Sequence, residues 1–311
     1  MKLPWLIGLL LITQQDLPNE NFPPYQVEKS QPEIMADLTI LFENEPIMTI
    51  NRSDLSLPLL HFPLIDPIKL QHTTDILDKT IRKEPINASL DENGQVVSEK
   101  PGIQLNKQAF QKQIYSFFYQ SNSSSITVPV RPIYPRVDSE LIENIRTKLI
   151  GHYVTYFNSR NKERTHNIVL ATQAINNHVI FPGETFSFNQ TVGQRTKEKG
   201  YLPAPIIVKG ELAEGIGGGI CQVSSTLFNA IDRSGLDVIN RFSHSKQVPY
   251  VPPGRDATVS WGGPDFTFKN QYNQPVLIRA KVYFGTMFVS IYSSEDINNV
   301  PNHVSGMHVS N

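Results

Sequence analysis

A glycine-rich run, Gly215-Ile216-Gly217-Gly218-Gly219-Ile220, ends at Cys221, the only cysteine of the chain, and leads straight into a stretch with helical spacing. Val223, Leu227, Ala230 and Ile231 fall at i, i+4, i+7 and i+8, and Ser234-Gly235 supplies a stop, so the pattern predicts a helix over Gln222 to Ser234. Glycine has no Cβ, so its backbone takes left-handed conformations and lets a substrate or another strand approach closely. A thiol at a helix start sits beside unpaired N–H groups and a partial positive charge, which favour the thiolate and make it a better nucleophile or ligand. The run is not a P-loop, because no Gly-Lys-Ser/Thr follows, though such a turn still suits an anion. The plainer alternative is a buried structural cysteine, against which a triple-glycine loop is an odd preface.

A length of 311 residues points to two domains with separate cores. With 28 Lys plus Arg against 29 Asp plus Glu the formal charge is −1, so no basic field draws in nucleic acid, and a nucleic-acid partner is not expected. Met1-Lys2 followed by apolar Leu3 to Ile12 reads as a signal-like or membrane-anchor segment over 1–16, shorter than the roughly 20 residues a spanning helix needs. Export and N-terminal membrane association are expected from it; a disordered apolar tail is the alternative. Pro18, Pro23 and Pro24 mark a linker over 17–31.

The fold class expected is α+β. A small α+β N-terminal domain over 32–137 carries strands at Leu38 to Phe42 and Ile47 to Ile50. A helix bearing Ile76, Leu77 and Ile81 follows, then a second from Leu105 to Phe118 and a strand at Ile126 to Val130. A C-terminal α+β domain over 138–293 sets the cysteine helix against an antiparallel sheet. Its helices start after Asp138 and cover Arg164 to Asn176, and its strands are predicted at Val248 to Val251, Ala257 to Trp261, Phe266 to Lys269, Val276 to Tyr283 and Met287 to Tyr292. Gly285-Thr286 makes the last hairpin turn, and 294–311 reads as a flexible tail.

A cysteine nucleophile needs a base and a group to orient that base. His244 is the leading partner of Cys221, with Asp256 and Asp265, each in a Gly/Pro turn, as candidate orienters. Gly217, Gly218 and Gly219 are candidate substrate-binding positions. Gln222 could donate to an oxyanion, and Arg255 could grip a carboxylate or phosphate. Each has a bland counterpart: a strand-capping histidine, turn aspartates, a first-turn glutamine facing solvent. Cys221 and His244 with Asp256 or His166 could also be metal ligands, but no CxxC or HExxH spacing accompanies them, so no metal and no cofactor is expected.

The block from Gly217 to Asn270, with Phe181-Pro-Gly-Glu-Thr-Phe-Ser-Phe-Asn189 and Gly200-Tyr201, closely resembles the VanW family, named after an accessory protein of a vancomycin-resistance cluster. The resemblance runs from about Asp138 to Tyr292. It implies an extracytoplasmic protein of the cell wall or cell surface, with peptidoglycan or another cell-wall polymer as partner. The order Cys, His, Asp is similar to the papain-like and transglutaminase-like plan. Asp91-x-Asn93-Gly94-x-Val96, a Pro101-Gly102 turn and Leu105-x-x-x-Ala109-Phe110 resemble a peptidoglycan-binding-like domain that often precedes VanW domains, with a spacer role as the alternative. Two functions follow: a cysteine-dependent acyl transferase or hydrolase on peptidoglycan peptides, or a non-catalytic wall-binding module.

Overall fold

The computed structural model describes residues 37–57, 64–120, 124–208 and 211–302. The signal-like segment and the linker lie outside the described residues. Two compact units are present. One holds the described residues up to Thr73 with Phe110–Val128, and the other holds Thr74–Ala109 with Pro129 onward. The division therefore does not fall at 137/138.

In the first unit, strand Leu38–Phe42 pairs antiparallel with Glu45–Ile50 and parallel with Ser125–Thr127. Leu38, Ile40, Ile50, Leu55, Phe110, Ile114, Phe117 and Phe118 are buried. The Arg52 guanidinium donates to Phe117 O at 2.9 Å.

The second unit is built on a four-stranded antiparallel sheet in the order Lys148–Tyr156, Thr286–Ser293, Val276–Tyr283, His178–Ile180. Val276, Ile278 and Ala280 join one core with helices Lys162–Ile175 and Ile220–Ser234, while Leu277 joins another with Ala88, Leu90, Val137, Ile142 and Ile145. Both faces of the sheet are thus covered, as the two-residue period of a strand requires. The covering piece on the second face includes a small hairpin, Ser89–Leu90 with Val96–Val97. Its turn is Asp91-Glu92-Asn93-Gly94, where the Asp91 carboxylate accepts from Asn93 N and Gln95 N, so the motif read as N-terminal belongs to the C-terminal body. Arg279 fixes it by donating to Leu90 O and Asp91 O, both at 2.8 Å.

A second sheet pairs Thr185–Ser187, Thr267–Lys269 and Asp237–Asn240, and Pro203–Val208 pairs with Glu211–Ile216 as a hairpin. The fold is α+β with several small sheets, and the expected antiparallel backing for the cysteine helix is present. The strands expected at Val248 to Val251 and Ala257 to Trp261 are not formed. Residues 294–302, expected to be loose, are tied back. Ile297 is buried, Asn298 N donates to Asn273 Oδ1 at 3.0 Å, and Asn302 Nδ2 donates to Asp232 Oδ1 at 3.2 Å.

Candidate functional site

The cysteine helix spans Ile220–Ser234, and its start is shaped by the glycines before it. Gly219, the N-cap, has φ 106°, a left-handed value that residues with a side chain rarely adopt. A Cβ on buried Gly218 would lie 2.6 Å from Pro205 O and 2.7 Å from Ala204 O, so only glycine lets the loop pass under the 203–216 hairpin. Ile220 N and Gln222 N are taken by Gly217 O and Gly219 O. No protein acceptor among the described residues meets the Cys221 N–H between them, one of the unpaired donors expected at a helix start. The Cys221 side chain is half-buried, with Sγ 3.6 Å from Val259 O and 3.8 Å from Thr258 Oγ1.

Polar residues on the helix hold the segment that carries Asp256. Ser224 Oγ donates to Ala257 O at 2.6 Å, Ala257 N donates to Ser225 Oγ at 2.9 Å, and Asn229 Nδ2 donates to Arg255 O at 2.8 Å. These three side chains are fully buried. They satisfy backbone groups that a strand would have paired in a sheet, which is why 255–257 needs no strand partner.

His244 lies against this segment. Its backbone N–H donates to Asp256 Oδ2 at 2.6 Å, and its Nδ1 lies 2.6 Å from the same oxygen, with both side chains nearly sealed from solvent. With Nδ1 so engaged, the imidazole lies beside the Cys221 sulfur on the wall of one cavity, and each group shifts the other's acidity. Burial pushes the Cys221 thiol up, but the neighbouring His244 imidazole, with help from the Val259 backbone and the Thr258 hydroxyl, outweighs it and leaves the thiol below its ordinary value. Burial pulls His244 down, yet the Cys221 sulfur and the Asp256 carboxylate outweigh that and leave it above its usual value. For Asp256, too, burial is outweighed by the bonds from His244, which hold its carboxyl below the usual range. Opposed shifts in adjoining groups favour a thiolate–imidazolium pair.

Of the residues picked out from the sequence, Cys221, His244 and Asp256 come together and Asp265 does not. Asp265 accepts from Ser187 Oγ at 2.6 Å and from Asn189 N at 2.9 Å, and so holds the start of the short helix Phe188–Val192. Arg255 is also spent elsewhere: its Nε donates to Asn229 Oδ1 at 2.7 Å and its Nη2 lies 2.6 Å from Asp232 Oδ2. Gln222, far from facing solvent, is buried. Its Nε2 donates to Thr155 Oγ1 and Tyr156 O, and its Oε1 accepts from Arg164, leaving no amide donor for an oxyanion.

Cys221 and His244 open onto a cavity of about 1260 Å³ that Gly217, Gly219, Tyr250 and Trp261 also line. Burial, then the nearby Cys221 sulfur, pushes the Tyr250 phenol well up, so it is a neutral O–H. Two lining residues, Arg164 and Arg195, gave no signal in the sequence, because their place depends on the helix Lys162–Ile175 and the loop after Val192 folding toward a cysteine far along the chain. Among the described residues no group of three His, Cys, Asp or Glu is arranged to hold a metal ion.

Comparison with known sequences shows that this chain, with its helix-borne cysteine behind a glycine loop, belongs to the VanW family. The family model described as VanW like protein matches residues 163–292, which include Arg164, Cys221, His244 and Asp256. The chain is similar to the uncharacterized protein YoaR of Bacillus subtilis (strain 168), with 53% identity over 293 residues, 94% of this chain and 91% of that one. It is also similar to the vancomycin B-type resistance protein VanW of Enterococcus faecalis (strain ATCC 700802 / V583), with 34% identity over 114 residues, 35% of this chain and 42% of that protein. No solved structure matches the chain.

Proposed function

We propose that this protein is an extracytoplasmic, cell-wall-associated enzyme in which Cys221 performs acyl transfer or hydrolysis on peptidoglycan peptides. The observation that carries the reading is His244, whose Nδ1 lies 2.6 Å from Asp256 and which lines one cavity with Cys221, the only cysteine in the chain. The Cys221 thiolate attacks an amide carbonyl carbon, forming a C–S bond. The tetrahedral oxyanion is received by the Cys221 N–H at the helix start. Collapse breaks the C–N bond as His244 passes its proton to the departing amine, leaving a thioester. A water molecule or an acceptor amine, deprotonated by His244, then attacks the thioester and releases the thiol. Asp256 keeps the ring in the tautomer and orientation that this requires.

Trp261, half-exposed at the cavity rim, offers a face on which a sugar or peptide can stack. In this reading the segment 32–137 contributes wall binding, and the apolar N-terminal stretch contributes export. Incubating wild type and Cys221→Ala with purified muropeptides and comparing products by mass spectrometry tests the chemistry. Products from wild type and none from a folded Cys221→Ala are expected. Equal product patterns would replace catalysis by the rival reading, a wall-binding module in which both proteins retain the same affinity for sacculi.

A further inference from the structure

The walls of the Cys221 cavity carry cationic side chains and no acidic one. Its lining includes Arg164, Arg195 and His244, and neither an aspartate nor a glutamate. Neither arginine has an acidic partner within ion-pairing distance among the described residues. Arg164 donates to the neutral amide of Gln222 at 2.7 Å, and Arg195 donates through Nη1 to the neutral amide of Asn189 at 2.8 Å. The second terminal nitrogen of Arg195, Nη2, is buried with no hydrogen-bond partner. An unpaired buried guanidinium nitrogen is costly, and the buried Arg279 of the same unit is satisfied by backbone carbonyls. Both cavity arginines lie close enough to Cys221 to feel the charge of its sulfur.

We infer that Arg195, with Arg164 beside it, forms a carboxylate-binding subsite, so that the substrate of Cys221 is a peptide bearing a free carboxylate near the bond attacked. This rests on the proposed reactivity of Cys221 and adds a substrate class to it. A carboxylate offers two acceptor oxygens in the plane that an arginine fork presents, which an amide in the same place cannot match. The subsite also disfavours neutral peptides, since their entry would leave the Arg195 guanidinium with only the more distant Asp265 as counter-charge.

Paired alkylating reagents of nearly equal size read this out without knowledge of the substrate. Iodoacetate carries a carboxylate, iodoacetamide does not, and in both the thiolate displaces iodide to form one S–C bond. Relative to free cysteine under the same conditions, the iodoacetate-to-iodoacetamide rate ratio at Cys221 is expected to rise roughly tenfold or more. Arg195→Gln should return the ratio toward that of free cysteine; losing its charge near the sulfur slows both reagents through the thiolate fraction, which cancels in the ratio, and Arg164→Gln serves as a second variant. An acetylated dipeptide with a free C-terminal carboxylate should slow iodoacetamide labelling more than its amide. Inorganic phosphate protecting better than the dipeptide would reassign the subsite to phosphate and overturn the carboxylate assignment. Fast iodoacetamide labelling with an unraised ratio would overturn the subsite and leave the reactive cysteine standing. Slow labelling by both reagents would overturn the reactive cysteine itself.

Discussion

Replacing Asp256 by asparagine isolates the contribution of one charge to the site. The two side chains have almost the same shape, and in the wild type a single oxygen, Oδ2, accepts from both His244 N and His244 Nδ1 at 2.6 Å. The pair is shielded, with the histidine and aspartate side chains 6% and 10% exposed, so solvent screens little of the interaction. A hydrogen bond to a charged group contributes about 1.5–3 kcal/mol and one between neutral groups about 0.5–1.5 kcal/mol, so the imidazolium loses about 1–2 kcal/mol of stabilisation. That corresponds to a five- to thirtyfold fall in the equilibrium constant for the thiolate–imidazolium pair. Chloroacetamide alkylation at neutral pH, followed by intact-protein mass spectrometry, measures it directly because Cys221 is the only cysteine. The expected rate falls by up to that factor, with the circular dichroism spectrum retained. An unchanged or faster rate in a folded Asp256→Asn protein would refute the reasoning.

Three further substitutions separate packing from chemistry. Gly218→Ala puts a methyl carbon 2.6–2.7 Å from backbone atoms of Ala204 and Pro205, which cannot step aside, and should lower stability by about 1–3 kcal/mol in urea unfolding; an unshifted midpoint would show that the hairpin yields freely. Asp265→Asn weakens the bonds to Ser187 Oγ and Asn189 N and should cost about 1–2 kcal/mol of stability while Cys221 alkylation stays at the wild-type rate, whereas a collapse of that rate would return Asp265 to the site. Arg279→Met removes the charged donor from the Leu90 and Asp91 carbonyls, leaving them only Asn177 Nδ2 and Gly94 N, and should cost about 1–3 kcal/mol, with faster amide hydrogen exchange at residues 89–97; unaltered exchange there would deny Arg279 its bracing role.

The cysteine helix was legible because its signals are local: one apolar stripe, a glycine loop before it and Gly235 after it. The last hairpin was legible for the same reason, although its two-residue turn is Phe284-Gly285, both at positive φ, one residue before the Gly285-Thr286 expected from the sequence. Asp256 and Asp265, by contrast, look alike along the chain, each following Gly and Pro. What separates them is which neighbour the fold brings up, His244 to one and the Phe188–Val192 helix to the other. The stretch around Ala257 has the apolar alternation of a strand, but its backbone is satisfied by Ser224, Ser225 and Asn229, residues that read from the sequence as ordinary helix positions. Arg164 and Arg195 were invisible for a related reason: a cationic residue shows its purpose only when its lack of an acidic partner can be seen in space.

The pairing of Cys221 with His244 is tested most directly by titrating the thiolate through its ultraviolet absorbance, taking the difference between wild type and Cys221→Ala. A thiol whose proton is held less tightly than usual is ionised down to a lower pH, and its thiolate signal disappears only as pH falls through that depressed midpoint. The signal should therefore be present at pH 7, with a midpoint below the roughly 8.5 of a free cysteine. A midpoint at or above that of free cysteine would contradict the ion pair, and with it the chemistry assigned to this site.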